Sequence, residues 1–324
     1  MKAIIEIKYN SKNITNEITD QVISFSYKDK TNSEADEIEL EIIDINGDWI
    51  GKNYPKHGDL IEAKITVYDA VLNCGKFRVD NINIRISNNS TIVSIQAISA
   101  GITKALRTKR NVVHESKTLK EIVTAVADTH QLRLYGDIPT IRINSLTQFN
   151  TTDLAFLNAL GSKYGFTFSV RDDLLIFTDR QTLEQQQHSF TIDGNTLIAI
   201  SIQDTITKSY GSASIRHHVQ TSKEDLTYTL PSASNSIETL NIDTPVESFG
   251  QAERVGSAAL YDSNSNATTG SIESIGNPTI IAGSSFILDK IGYNSGKWYI
   301  TESTHTVNAS SYTTSAEIKL INRI

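Results

Sequence analysis

With 324 residues, 39% of them hydrophobic and 21% charged, the chain is long enough for two or three compact units, each with its own core. Its 30 basic and 37 acidic residues leave a net charge of -7, which excludes an electrostatic grip on nucleic acid, because that grip rests on Lys and Arg displacing phosphate counterions. A single cysteine, Cys74, excludes an intrachain disulfide framework, and no window approaches the roughly 20 apolar residues that a membrane-spanning helix needs.

The N-terminal stretch MKAIIEIKYNSKNITNE has a short apolar run broken by Glu6 and Lys8. It lacks the uninterrupted apolar core and cleavage site of a signal peptide and reads as a first β-strand, with folding expected in a reducing cytosol. Up to about residue 105 the pattern has period two. Ile38, Leu40 and Ile42 alternate with Glu37, Glu39 and Glu41; Ile61, Ala63, Ile65 and Val67 alternate with Glu62, Lys64 and Thr66; Ile82, Ile84 and Ile86 repeat the scheme. Turn signals at Asn46-Gly47-Asp48, His57-Gly58-Asp59, Cys74-Gly75 and Ser87-Asn88-Asn89 separate the runs. Short strands at this spacing predict a small β-barrel or sandwich over residues 1–106.

Between 107 and 187 the period changes. Leu119, Ile122, Val123, Val126, Ala127 and His130 share a helical face, with Thr118 and Glu121 as a capping box. A second helix is predicted from Thr151 to Tyr164, with Leu154, Leu157, Leu160 and Tyr164 as its stripe and Gly165 as its stop. Short strands are expected at Thr140–Ile143, Phe166–Val170 and Leu174–Thr178, the last two as a hairpin, so residues 107–187 read as a small α/β domain. From 188 to 324 strands return, at Ser189–Ile192, Thr196–Ile202, Ala213–His217, Leu226–Leu230, Ser285–Leu288, Lys297–Val307 and Thr313–Ile321. They predict a second β-barrel, interrupted at about 231–277 by a Ser/Asn-rich insertion with a helix from Val246 to about Tyr261. The fold class is thus mainly β with an α+β insert, two small barrels flanking a small α/β domain.

Chemistry-bearing motifs are few. The neighbours His217 and His218 point to opposite faces of a strand and cannot easily chelate one ion. His305, within a strand, reads as a packing or hydrogen-bonding residue. Cys74 at a turn has no base or electropositive setting in view. Tyr210-Gly211-Ser212-Ala213-Ser214 lacks the second glycine of a nucleophile elbow, and there is no phosphate-binding Gly-rich loop. Glu37, Glu39 and Glu41 read as a water-facing strand face rather than a glycosidase pair. The one basic run, Arg107-Thr108-Lys109-Arg110, has neither interleaved aromatics nor a recognition helix and reads as a solvated linker, open to salt bridges with a neighbouring subunit. No catalytic, cofactor-binding or metal residue is assigned, the interface residues stay unknown, and the reading is non-enzymatic.

Five stretches in order carry a resemblance: ISFSYKDKTNSEADEIELEIIDINGDW (23–49), GKFRVDNINIRISNNSTIVSIQAISA (75–100), LRTKRNVVHESKTLKEIVTAVADTHQL (106–132), FNTTDLAFLNALGSKYGFTFSVRDDLLIF (149–177) and GKWYITESTHTVNASSYTTSAEIKL (296–320). Together they resemble the phage late control protein D and contractile-tail baseplate hub group, whose fold is shared with the N-terminal hub part of type VI secretion spike proteins. The resemblance implies a structural hub in the tail baseplate of a virion or tail-like particle, assembled in the bacterial host cytoplasm. It implies a homotrimeric ring whose two similar barrels per subunit match a six-fold tail tube to a three-fold central spike. Expected partners are the central spike and the tail tube or its initiator, with wedge proteins and the tape measure as further contacts, and no cofactor, specific nucleic-acid binding or membrane insertion. A lumen carrying part of the negative charge would let DNA or a tape-measure protein slide through. The sequence stops at Ile324, straight after the last barrel pattern, so a spike or cell-wall hydrolase is expected on a separate polypeptide. The competing readings are a tail-tip cell-wall hydrolase and a glycan-binding tail protein; the second would want exposed aromatic clusters, whereas aromatics are 7% and scattered.

Overall fold

Alternation decides the strands. In Glu37–Ile43 the side chains of Ile38, Leu40 and Ile42 are buried while the glutamates between them face outward, and Leu60–Val67 repeats this with Ile61, Ala63, Ile65 and Val67. The computed structural model describes residues 3–31, 35–88, 90–101, 103, 105–171, 173–205, 209–219, 224–231 and 236–323. Within them, thirteen strands form one sheet, in the order Ala199–Asp204, Thr268–Ile275, Tyr312–Arg323, Gly296–Asn308, Val22–Lys30, Glu37–Ile43, Ser90–Ser99, Ala70–Ser87, Leu60–Val67, Ile4–Tyr9 and Lys12–Asn13. Ser285–Asp289 also pairs with Gly296–Asn308 and has Phe190–Asp193 parallel at its side.

The β regions at the two ends of the chain meet through one strand. Gly296–Asn308 pairs with Ser285–Asp289 over its first residues and with Val22–Lys30 from Glu302 to Asn308. A register shift between Ile300 and Glu302 marks the changeover. Two apolar clusters line this sheet. One gathers Phe25, Ile38, Phe77 and Val93 with Val307 and Tyr312 from the far end of the sequence, and the other gathers Phe286, Trp298, Ile300 and Ile318.

Both helices of the middle region form where their caps stand. Thr118 and Glu121 complete a reciprocal capping box at the start of Leu119–Thr129, and Asp153–Tyr164 begins behind Thr152 and stops at Gly165, whose φ is 75°. Thr118→Ala should therefore cost about 1 kcal/mol, read as a shift of the urea midpoint at constant slope. The hairpin Phe166–Arg171 with Leu174–Asp179 is present, and Arg133–Tyr135 adds a parallel third strand. The strand expected at Thr140–Ile143 starts at Arg142 and runs to Thr152 as a ribbon with Lys109–Thr118.

The helix expected near Val246–Tyr261 spans Phe249–Ser265. Its buried Ala252 and Val255, with Val246 and Ile215, belong to the same apolar cluster as Leu119, Leu157, Phe166 and Phe177. It lies on the three-stranded sheet of Ser212–Val219, Glu224–Pro231 and Thr239–Ile242, so these segments and the middle region share one core, here called the α/β body.

Candidate functional site

Three features outside the apolar cores can do something: a broad polar sheet face, and two buried charge clusters where the α/β body meets the sheet.

The polar face follows from strand parity. One row across the sheet reads Asn81, Gln96, Glu39, Ser26, Thr306 and Thr313, in hydrogen-bonded register. The next reads Glu37, Lys28, Thr304, Ser315, Glu273 and Ala199. A third runs from Glu302 through Glu317 and Ser271 to Ser201. Polar and charged side chains dominate it, with Ile275 beyond Thr313 and Ile98 beyond Glu37 at its margins, and no aromatic ring stands in these rows. Lys28 pairs with Glu302 at 2.8 Å, Lys30 with Glu37 at 3.4 Å and Arg85 with Glu41 at 2.6 Å. Glu39, Glu273 and Glu317 have no ion-pair partner among the described residues, which leaves the face acidic along its middle.

The first buried cluster holds Asp29, Asp36 and Arg171. Asp29 follows Phe25 and Tyr27 at inward parity, and its carboxylate takes Arg171 Nη2 at 2.6 Å and the amide of Ala282 at 3.0 Å. Asp36 accepts the Lys30 amide at 3.1 Å and lies 3.8 Å from Arg171 Nε. Burial pushes Asp29 up to about 7 against the pull of Arg171, and it raises Asp36 as well. The second cluster joins Glu184 to Lys319 at 2.6 Å, with the Tyr261 hydroxyl donating to Glu184 at 2.7 Å. Between the clusters lies a polar cavity of about 270 Å³, lined by Thr31, Asn158, Ser162, Tyr299 and Thr301 among others.

The residues singled out from the sequence are not brought together. Cys74 is buried, and burial beside the negative potential of Asp29 pushes its thiol up, the opposite of an activated nucleophile. Ser212 lies on a strand with its hydroxyl 2.8 Å from that of Thr239, not on a strand-to-helix elbow. His217 and His218 are on the Ser212–Val219 strand, their side chains outside the described residues. His305 is fully buried, bonded to the Tyr312 hydroxyl at 2.9 Å and the Ile280 carbonyl at 3.0 Å and stacked on Tyr27. Among the described residues no three or more His, Cys, Asp or Glu are grouped to hold a metal.

The basic run, expected as a solvated linker open to salt bridges with a neighbouring subunit, makes ion pairs within its own chain. Arg107 pairs with Asp80 at 3.3 Å and Arg110 with Asp153 at 3.2 Å, and Lys109 already begins a strand. The run is tied within its own chain because Asp153, at the start of its helix, also holds His130 at 2.6 Å and needs charge compensation in a buried place. Inward parity at Asp29 is the sequence signal for the first charge cluster; Glu184, within a Gln-rich polar run, carries none.

No family model matches the chain. It is 29% identical over 212 residues to the probable baseplate hub protein of Escherichia phage P2, covering 64% of this chain and 50% of that protein. It is 29% identical over 175 residues to the corresponding protein of Escherichia phage 186, covering 52% and 43%. The matches thus span about half the length of these curated relatives. In fold it is similar to the 43 kDa tail protein of prophage MuSo2 from Shewanella oneidensis, with a TM-score of 0.72 at 12% identity over 98% of each chain. It is equally similar to a tail protein from Neisseria meningitidis, with a TM-score of 0.71 at 10% identity over 99% of this chain and 97% of that one. A component of the Escherichia coli type VI secretion system aligns over 99% of this chain and 77% of its own, with a TM-score of 0.61 at 11% identity. By sequence this chain is similar to the probable baseplate hub proteins of phages P2 and 186, and its fold is similar to that of phage tail proteins and of a type VI secretion system component.

Proposed function

We propose that the chain is a non-enzymatic baseplate hub subunit of a contractile tail or tail-like particle, assembled in the host cytoplasm and working as a homotrimeric ring. The ring adapts a six-fold tail tube to a three-fold central spike and leaves a channel for DNA or the tape measure. Residues 1–106 and the strands of 188–324 that join the large sheet supply the two quasi-equivalent β parts of each subunit, and 107–187, with the segments of 212–265 that share its core, the α/β part between them.

The observation that carries this reading is the mainly polar, acidic sheet face, without aromatic rings in its rows, that both ends of the chain build together. A surface of Ser, Thr, Asn and Glu offers a passing polyanion no counterion release and a passing polypeptide no stacking platform. Three copies of such a face, turned inward, make a wall along which cargo slides.

Sedimentation of the purified protein should give three times the 35.8 kDa of the chain, or that mass plus the spike's when the spike is bound; a strict monomer in both conditions would count against the ring. Glu39→Lys combined with Glu273→Lys and Glu317→Lys should leave assembly intact, since each surface change stays within about 0.5 kcal/mol, yet reduce DNA delivery by at least tenfold. Undiminished delivery removes this face from the channel. A zymogram should show no clearing of cell wall by the purified protein.

A further inference from the structure

The α/β body meets the sheet at this junction through charges and polar groups, with Ala35 of the first β region packed against its apolar cluster. Arg171, at the end of the Phe166–Arg171 strand, reaches Asp29 at 2.6 Å, and beside it the Ser99 hydroxyl donates to the Val170 carbonyl at 3.4 Å. The polar cavity of about 270 Å³ lies near these contacts, with Thr31, Phe166 and Phe168 in its wall. Asp29 also accepts the Ala282 amide at 3.0 Å, while Thr31 donates its amide to the Thr301 carbonyl at 3.1 Å. The same carboxylate therefore touches the first β region, the α/β body and the last β region.

Two carboxyls share this place with one guanidinium. Asp29 and Asp36 are both buried against it, at 2.6 Å and 3.8 Å from its nitrogens. The other titratable and charged groups facing them, among the described residues, are Tyr27 and Lys30 on the same strand, Cys74 from the neighbouring strand, and Tyr299 across Arg171. Lys30 is itself drawn to Glu37.

We propose that Asp29 and Asp36 form a proton-operated latch: while one of them carries a proton they hold Arg171 and keep the α/β body seated on the sheet, and loss of that proton to water releases it. Once both are ionised, two buried negative charges face a single guanidinium, and they regain hydration only when the body lifts away. Burial holds Asp29 at about 7 in the seated state, against about 3.9 for an exposed aspartate. A carboxyl raised in the closed state favours closure fully below the open-state value and progressively less as pH rises through the closed-state value. Closure is thus weakened between about pH 4 and pH 7.

Native-state hydrogen exchange of the whole chain tests this. With intrinsic rates corrected, the opening constant reported by amides of 166–171 and 280–284 should rise on the order of fiftyfold between pH 5 and pH 7.5. Amides in the Val93–Ala97 core should change less than twofold. Asp29→Asn, a neutral copy of the protonated side chain, should keep the low-pH protection at pH 7.5 and flatten the profile. A junction that opens equally at both pH values, or only together with Val93–Ala97, overturns the latch. Should the variant not fold, carbon NMR of the Asp29 carboxyl in the unaltered protein decides: a midpoint near 7 supports the latch, and one near 4 overturns it.

Discussion

Glu184→Leu should lower the unfolding free energy by about 3–5 kcal/mol, because it leaves a buried ammonium without its counter-charge. Glu184 and Lys319 are both buried, 2.6 Å apart, and the carboxylate also takes the Tyr261 hydroxyl. Among the described residues the Lys319 ammonium also reaches the Ser265 hydroxyl, at 3.5 Å, which cannot replace a carboxylate. Urea denaturation of the single variant measures the loss. The double change Glu184→Leu with Lys319→Met should recover most of it, since apolar residues of similar volume often replace a buried ion pair at little cost. A loss below about 1 kcal/mol in the single variant would mean that Lys319 reaches water, and the pair could then not be what seats Phe249–Ser265 over this end of the sheet.

Acidification should act through His305. Burial lowers this imidazole from its ordinary value to about 4, with the Ile280 carbonyl opposing the shift only weakly. Its folded value lies below the unfolded one of about 6.5, so the stability it supports is complete above pH 6.5 and is lost as pH falls through 4, in total about 3 kcal/mol. Asp29 works in the opposite sense, favouring the folded state less as pH rises from 4 to 7. Over that window the two contributions offset, and global melting of the unaltered protein should be flatter than either group alone would make it. His305→Gln keeps a side chain able to bond the Tyr312 hydroxyl and the Ile280 carbonyl but cannot charge. Its stability should fall less on acidification than that of the unaltered protein, measured by calorimetry between pH 4 and 7; a parallel loss would place the acid sensitivity elsewhere. The junction and the His305 site remain distinguishable because exchange at 166–171 reports the former alone.

Legibility in the sequence followed burial on one side. Where one face of a strand is apolar and the other polar, as in Glu37–Ile43 or Tyr312–Arg323, alternation marks both the strand and the face it shows to water. Where a helix begins and ends on short-range capping chemistry, as at Thr118 and Gly165, four or five residues contain the whole signal. Of the strands that were not marked, Lys109–Thr118, Arg133–Tyr135, Thr239–Ile242 and Thr268–Ile275 are short or mostly polar and take their order from a partner strand, whereas Val22–Lys30 and Ser90–Ser99 alternate and were passed over.

By itself, then, the sequence determined the mainly β class, the two capped helices of the middle region, and the polar composition of the face that we place in the channel. Only the tertiary structure decided that Gly296–Asn308 ties Val22–Lys30 to the end of the chain, that Phe249–Ser265 shares its core with the middle region, and that Asp29 meets Arg171. The physical reason is one of range. Periodicity and caps are written in neighbouring residues, whereas sheet order and buried charge pairing are fixed by which distant segments can together exclude water and still satisfy every polar group they bury.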